Sequence, residues 1–193
     1  MEFSGAVLAG GQSRRFGQDK ALYPYRGKPL LAWVLEGLAE ASERFVVANR
    51  PYPIDALVYP DLWPGGGTMS GLHTALAQAR HPWVAVAACD QPFLSRAYWR
   101  YLREHIQPGC LVVMAESKAG PEPLGALYHK SLEPLVLERL QGAHLKIQDL
   151  LETLPSVRLP VAELTPRFGE HLLANLNTLS ELEALESGLD PLG

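Results

Sequence analysis

A doubly wound α/β fold, with a mostly parallel sheet and helices on both faces, is predicted by three features of this 193-residue sequence. Short apolar runs rich in Val and Ala recur along the chain, stretches with helical spacing lie between them, and a glycine-rich loop follows the first run directly. Apolar runs without polar alternation suit strands buried on both faces, as in a parallel sheet covered by helices. They fall at residues 3–9, 45–49, 56–59, 83–88 and 111–115. The first intervening helix is carried by Leu30, Leu31, Val34, Leu35 and Leu38, and the second by Leu72, Ala75, Leu76 and Ala79. The third is carried by Tyr98, Trp99, Leu102 and Ile106 behind Ser95 as its cap. Beyond about residue 120 the alternation loosens. A strand is expected at 125–128, helices near 131–140 and 146–154, and a final strand at 171–176. A last helix starts near Thr178, whose spacing to Glu181 makes a capping box.

Composition narrows the function. The chain fits one domain spanning residues 1–193, and 47% hydrophobic residues can fill a sizeable core. A net charge of -4 argues against a general nucleic-acid or membrane surface, so any basic site must be local. Two cysteines, Cys89 and Cys110, give neither a disulfide framework nor a thiolate zinc site. The first apolar stretch has no basic leader and is far shorter than a spanning helix, so a cytoplasmic setting is expected. Six scattered histidines form no ligand pair, and neither Ser13 nor Ser70 sits in a nucleophile elbow. In an α/β sheet of this kind ligands collect at the carboxyl ends of strands, which directs attention to the loops there.

The loop behind the first strand reads Leu8-Ala9-Gly10-Gly11-Gln12-Ser13-Arg14-Arg15-Phe16-Gly17-Gln18-Asp19-Lys20-Ala21. Glycines let successive N–H groups converge on an anion, and Arg14, Arg15 and Lys20 add three cations. The alternative is a glycine turn with solvated charges. The Walker A pattern fails because Gln18 follows Gly17, and the dinucleotide fingerprint fails at Gly10 and Gly11. Charge-assisted contacts worth about 1.5–3 kcal/mol each suit a triphosphate, above all as an anionic leaving group departs. Lys20 is assigned that task. Asp90, in Cys89-Asp90-Gln91-Pro92, ends an apolar strand where a bare charge is costly unless it meets a cation. Mg²⁺ takes one or two carboxylates together with phosphates and water, so a lone aspartate suffices. The competing role, a helix cap, is already filled by Ser95.

A second glycine-rich loop, Trp63-Pro64-Gly65-Gly66-Gly67-Thr68-Met69-Ser70-Gly71, opens into a helix and offers free N–H groups at its positive end, or else is a flexible connector. Asparagine occurs three times, at Asn49, Asn175 and Asn177. On an extended segment Asn175 and Asn177 point to one face and can pair with a heterocycle; turn chemistry is the alternative. Lys28, before Pro29, is either a phosphate ligand or a solvated lysine.

These residues carry a resemblance. Leu8-Ala9-Gly10-Gly11, Ser13, Arg14, Arg15, Gly17 and Asp19-Lys20-Ala21 resemble the signature of the molybdopterin nucleotidyltransferases, most nearly of the guanylyltransferase branch, over nearly the full chain. Phe16 stands where that family commonly has methionine, and Gly67-Thr68-Met69-Ser70-Gly71 where it has Gly-Pro-Leu-Ala-Gly. The resemblance implies a nucleotidyltransferase fold whose N-terminal half binds the nucleotide and whose C-terminal half binds the acceptor. Nucleotide contacts are implied at Leu8, Ala9, Gly10, Gly11, Arg14, Arg15, Lys20, Asn49, Asp61, Gly67, Gly71 and Asp90. The Asn175-Leu176-Asn177-Thr178 segment is implied to face the pterin, and 120–128 to line the acceptor side. The implied reaction joins GMP from GTP to Mo-molybdopterin, with Mg²⁺ on Asp90 and with Lys20 neutralising charge. Molybdenum-insertion proteins and acceptor apoenzymes are the implied transient partners. A CTP-using relative, a sugar 1-phosphate nucleotidyltransferase and a non-catalytic nucleotide sensor are the alternatives; Asn175 and Asn177 favour the pterin acceptor, and Lys20 with Asp90 favours turnover.

Overall fold

The structure, a computed structural model, describes residues 1–10, 19–176 and 179–186. Strand β1 (Ser4–Leu8) is followed by a 3₁₀ turn, Lys20–Leu22, capped by Asp19, whose carboxylate accepts from Ala21 N–H. A small hairpin of β2 (Pro24–Tyr25) and β3 (Lys28–Pro29) comes next, reversing through Arg26 and Gly27, both at positive φ as a two-residue hairpin turn requires. Then follow α1 (Leu30–Gly37), β4 (Glu43–Val47), β5 (Leu57–Tyr59), α2 (Thr68–Gln78) and β6 (Trp83–Ala88). Next are α3 (Arg96–Glu104), β7 (Val112–Ser117), β8 (Gly120–Pro121), β9 (Ala126–His129), α4 (Glu133–Gln141) and α5 (Ile147–Leu151). Last come β10 (Ser156–Pro160), α6 (Val161–Phe168) and α7 (Leu179–Glu186). Ser95 caps α3 as expected, its hydroxyl accepting from Tyr98 N–H. No described helix is long and apolar enough to cross a membrane.

Apart from the β2–β3 hairpin, which is a sheet of its own, the described strands form one sheet in the order β10-β7-β9-β6-β1-β4-β5, with β8 added beside β7. β1 runs parallel to both β4 and β6, β4 to β5 and β10 to β7, while β9 inserts antiparallel between β6 and β7. Side chains alternate across each strand, so each face gathers its own core. Val7, Ala85 and Val113 meet Leu31 and Val34 of α1, Tyr98 and Leu102 of α3 and Leu164 of α6. Ala6, Val84 and Met114 meet Leu72 and Leu76 of α2, Val136 of α4 and Leu150 of α5. Helices therefore cover both faces, the doubly wound arrangement the sequence predicts.

Two expectations change. The strand expected at 171–176 is a run of turns in which Leu172 N–H reaches Gly169 and Ala174 N–H reaches His171. Leu172 and Leu176 are buried one turn apart, and that spacing imitates strand alternation. Conversely, β10 lies at a sheet edge between Pro155 and Pro160, where a missing N–H breaks no ladder. Helix α6 likewise contains Pro166. Prolines that read as breakers conceal both elements. Thr178, the expected cap of the last helix, lies outside the described residues.

Candidate functional site

After β1 the chain moves to β4 and β5 on one side and then returns to place β6 on the other. β1 is therefore the switch point of the strand order, where open α/β sheets bind their ligands. The register brings both strand ends level, Leu8 opposite Ala88, and Cys89 N–H donates to Leu8 C=O at 3.0 Å. Lys20 and Asp90 meet there. Lys20 Nζ lies 2.6 Å from Asp90 Oδ2, and the two side chains are only 14% and 16% exposed. Seventy residues apart in sequence, they share one site.

Asp90 Oδ1 is buried and has no hydrogen-bond partner among the described residues. A buried carboxylate oxygen left unsatisfied is costly, and a cation beside it removes the cost. The residues thus fit a divalent ion of the Mg²⁺ kind, which takes one protein carboxylate and draws its other ligands from phosphate and water. Among the described residues no group of three or more His, Cys, Asp or Glu could hold a metal by itself. The ion that fits is one completed by substrate.

The Asp90 turn is braced from two sides. Gln91, almost fully buried, accepts from Ala88 N–H through its amide oxygen at 3.0 Å and donates to Leu124 C=O at 3.4 Å. Leu176 N–H donates to Asp90 C=O at 3.1 Å. The first contact ties the turn to segment 120–128, and the second ties it to the segment carrying Asn175. Asn175 is exposed and sits on an irregular segment rather than on the strand that the same-face argument assumes. Tyr98, at full depth, donates to Gly125 C=O at 2.6 Å, and Tyr128 donates to Pro123 C=O at 2.6 Å. Burial pushes both phenols well above their ordinary range, so they act as fixed donors.

Asn49 and Asp61 come together beyond the ends of β4 and β5. Asn49 Nδ2 donates to Asp61 Oδ2 at 3.0 Å, and Asp61 N–H donates to Asn49 Oδ1 at 2.8 Å. The second glycine loop is pinned rather than loose. Ser70 Oγ donates to Trp63 C=O at 2.5 Å and accepts from Gly66 N–H at 2.8 Å, and Leu62 N–H reaches Thr74 Oγ1 at 3.0 Å. Gly67 caps α2 at φ 58 and ψ −130, exposed and, as a glycine, without a side chain to cap the first N–H groups. Gly71 is buried, and a Cβ there would stand 2.9 Å from Leu8 Cδ1. Its glycine character therefore answers to packing between α2 and β1.

Two residues, Tyr52 and Arg50, escaped the sequence reading. Tyr52 Oη lies 3.3 Å from both Ala9 C=O and Asp19 Oδ1, and accepts from Arg50 Nε at 3.1 Å. Arg50 Nη2 also pairs with Asp19 Oδ1 at 3.1 Å. Burial raises the Tyr52 phenol to about 12, although the Arg50 bond works against it. The available signal was Asp19 beside Lys20, with Arg50 and Tyr52 just past the apolar run at 45–49 that forms β4. Lys28 has protein partners of its own. Its Nζ pairs with Glu36 and lies 3.5 Å from the Trp33 ring centroid, a structural cation–π contact.

Of the other expected site residues, Leu8 and Ala9 end β1 and Gly10 is exposed beside them. Gly11, Arg14, Arg15 and Asn177 lie outside the described residues.

Comparison with known proteins agrees with this geometry. A family model described as a MobA-like NTP transferase domain matches residues 5–158. A probable molybdenum cofactor guanylyltransferase of Deinococcus radiodurans is 36% identical over 188 residues, covering 96% of this chain and 94% of the relative. One from Carboxydothermus hydrogenoformans is 35% identical, covering 93% of each. The crystal structure of molybdopterin-guanine dinucleotide biosynthesis protein A from Archaeoglobus fulgidus superimposes with a TM-score of 0.82 at 30% identity, covering 95% of this chain and 97% of that one. A strand order with its switch point at β1, a lysine and an aspartate meeting there, and relatives alike over nearly their whole length lead to one assignment: the chain belongs to the MobA-like NTP transferase family and is a nucleotidyltransferase.

Proposed function

We propose that the chain transfers GMP from GTP to Mo-molybdopterin, forming the molybdopterin guanine dinucleotide cofactor and pyrophosphate. The observation that carries this reading is the Lys20–Asp90 pair at the switch point, with Asp90 Oδ1 buried and unpartnered among the described residues. A terminal phosphate oxygen of the acceptor attacks the α-phosphorus of GTP. The bond between the α-phosphorus and its bridging oxygen breaks, and that electron pair leaves with pyrophosphate. No residue forms a covalent intermediate. Lys20 supplies fixed positive charge where negative charge accumulates on the leaving group, and holds the polyphosphate for in-line attack. Asp90 is the residue that would hold Mg²⁺, which when bound neutralises phosphate charge.

Asn49 and Asp61 are assigned to the nucleoside. A carboxylate only accepts hydrogen bonds, and guanine presents adjacent N1–H and N2 amino donors that cytosine lacks. Gly10, Gly11, Arg14, Arg15 and the N-terminus of α2 at Gly67 are assigned to the nucleotide, with Asn175 and Asn177 facing the acceptor. Nucleotide contacts thus come from the N-terminal half and acceptor contacts from the C-terminal half. Molybdenum-insertion proteins and acceptor apoenzymes are the transient partners this reaction calls for, in a cytoplasmic setting.

The test is pyrophosphate release by purified protein with Mg²⁺, Mo-molybdopterin and each nucleoside triphosphate in turn. GTP alone should support turnover. Comparable turnover with CTP would overturn the base assignment, and binding of GTP without turnover in the complete mixture would favour a sensor.

A further inference from the structure

Lys20 rides on a turn only three residues long, and a short turn cannot fix a side chain by itself. What fixes it is Asp19, the cap of that turn, whose Oδ1 accepts from Ala21 N–H at 3.1 Å. The same oxygen pairs with Arg50 and lies within reach of Tyr52 Oη, which also faces Ala9 C=O at the end of β1. Tyr52 is buried, and Arg50 Nε donates to its hydroxyl, so the phenolic proton is directed to Ala9 or Asp19. One hydroxyl therefore joins the start of the first loop, its end, and the chain leaving β4.

We propose that Tyr52 is a positioning residue for Lys20, holding through Asp19 the turn from which the lysine reaches Asp90 and the polyphosphate. The proposal rests on the phosphate role assigned to Lys20 and adds a residue that never touches substrate. Asp19 is the intermediary, and Arg50 keeps the phenol oriented.

A double-mutant cycle tests it, read as the Kd of Mg²⁺-GTP by titration calorimetry on the full chain. In the parent, Tyr52→Phe should weaken binding roughly tenfold, the scale of a lost hydrogen bond in a mostly buried network. In the Lys20→Ala background the same change should cost less than about twofold, because the group it positions is gone. Asp19→Asn, which keeps the acceptor oxygen, should bind better than Asp19→Ala. Equal losses from Tyr52→Phe in both backgrounds, or no loss in the parent, would overturn the positioning role and leave the reading of Lys20 intact. Lys20→Ala binding as tightly as the parent would instead overturn the phosphate role and this proposal with it.

Discussion

Cys89 and Asp90 are adjacent in the chain, yet their surroundings give them opposite chemistry. Burial, followed by the neighbouring Asp90 charge, pushes the Cys89 thiol up to about 12, so it stays protonated at neutral pH and is a poor nucleophile. Cys89→Ala should therefore keep pyrophosphate release within about twofold of the parent, and peptide mapping after maleimide treatment at pH 7.5 should find Cys89 unmodified. Rapid labelling at Cys89 with loss of turnover would contradict this. Sequence made Asp90 legible because it is a charge at the end of an apolar strand, a position that demands a partner, and Lys20 because it closes a glycine-rich loop that also carries Arg14 and Arg15. It could not reveal Gln91, Arg50 or Tyr52, because each works through a contact to a group far away in the chain, at Leu124, Asp19 and Ala9 respectively, that only the fold creates.

At the level of elements, the Asp90 loop is set by packing. Gly37 at the end of α1 lies against the Leu94 carbonyl, and a Cβ added there would stand 2.0 Å from that oxygen. Backbone cannot move aside as a side chain can. Gly37→Ala should destabilise the fold by about 1–3 kcal/mol or more, visible as a lowered Tm. It should also reduce turnover at temperatures where the protein stays folded, since 91–94 continues from Asp90. An unchanged Tm would show that the helix and loop do not meet this closely. The parallel core strands and their helices were legible because their period is strong. The β2–β3 hairpin, β10 and α6 were not, for a hairpin of two-residue strands has no period and prolines mask an edge strand and a short helix.

Across the whole molecule, the same buried donors govern how stability depends on pH. Tyr52 and Cys89 both hold their protons to about 12 in the folded protein, against ordinary values of 10.0 and 9.0. Burial raises Tyr98 and Tyr128 in the same direction. A folded-state pKa above the unfolded one contributes stability that is complete below the unfolded value and is lost as pH rises through the folded value. The Tm should accordingly show no loss from these groups up to about pH 9 and fall between about pH 9 and 12. A Tm constant to pH 11 would contradict the burial of these groups. Glu36 and Glu40 are lowered, chiefly by hydrogen bonds from Lys28 and Arg100, but both pairs sit at the surface, so their contribution on the acid side is small.

The chain as a whole brings two charges seventy residues apart into contact, and the proposed function sets both on one substrate; the rate of pyrophosphate release from GTP with Mo-molybdopterin, in the parent and in Asp90→Asn, tests that convergence most directly. Asp90→Asn should lower the rate at least about a hundredfold at saturating Mg²⁺, the scale of a lost electrostatic stabiliser. A rate within about twofold of the parent would mean that the carboxylate at the end of β6 takes no part in phosphoryl transfer.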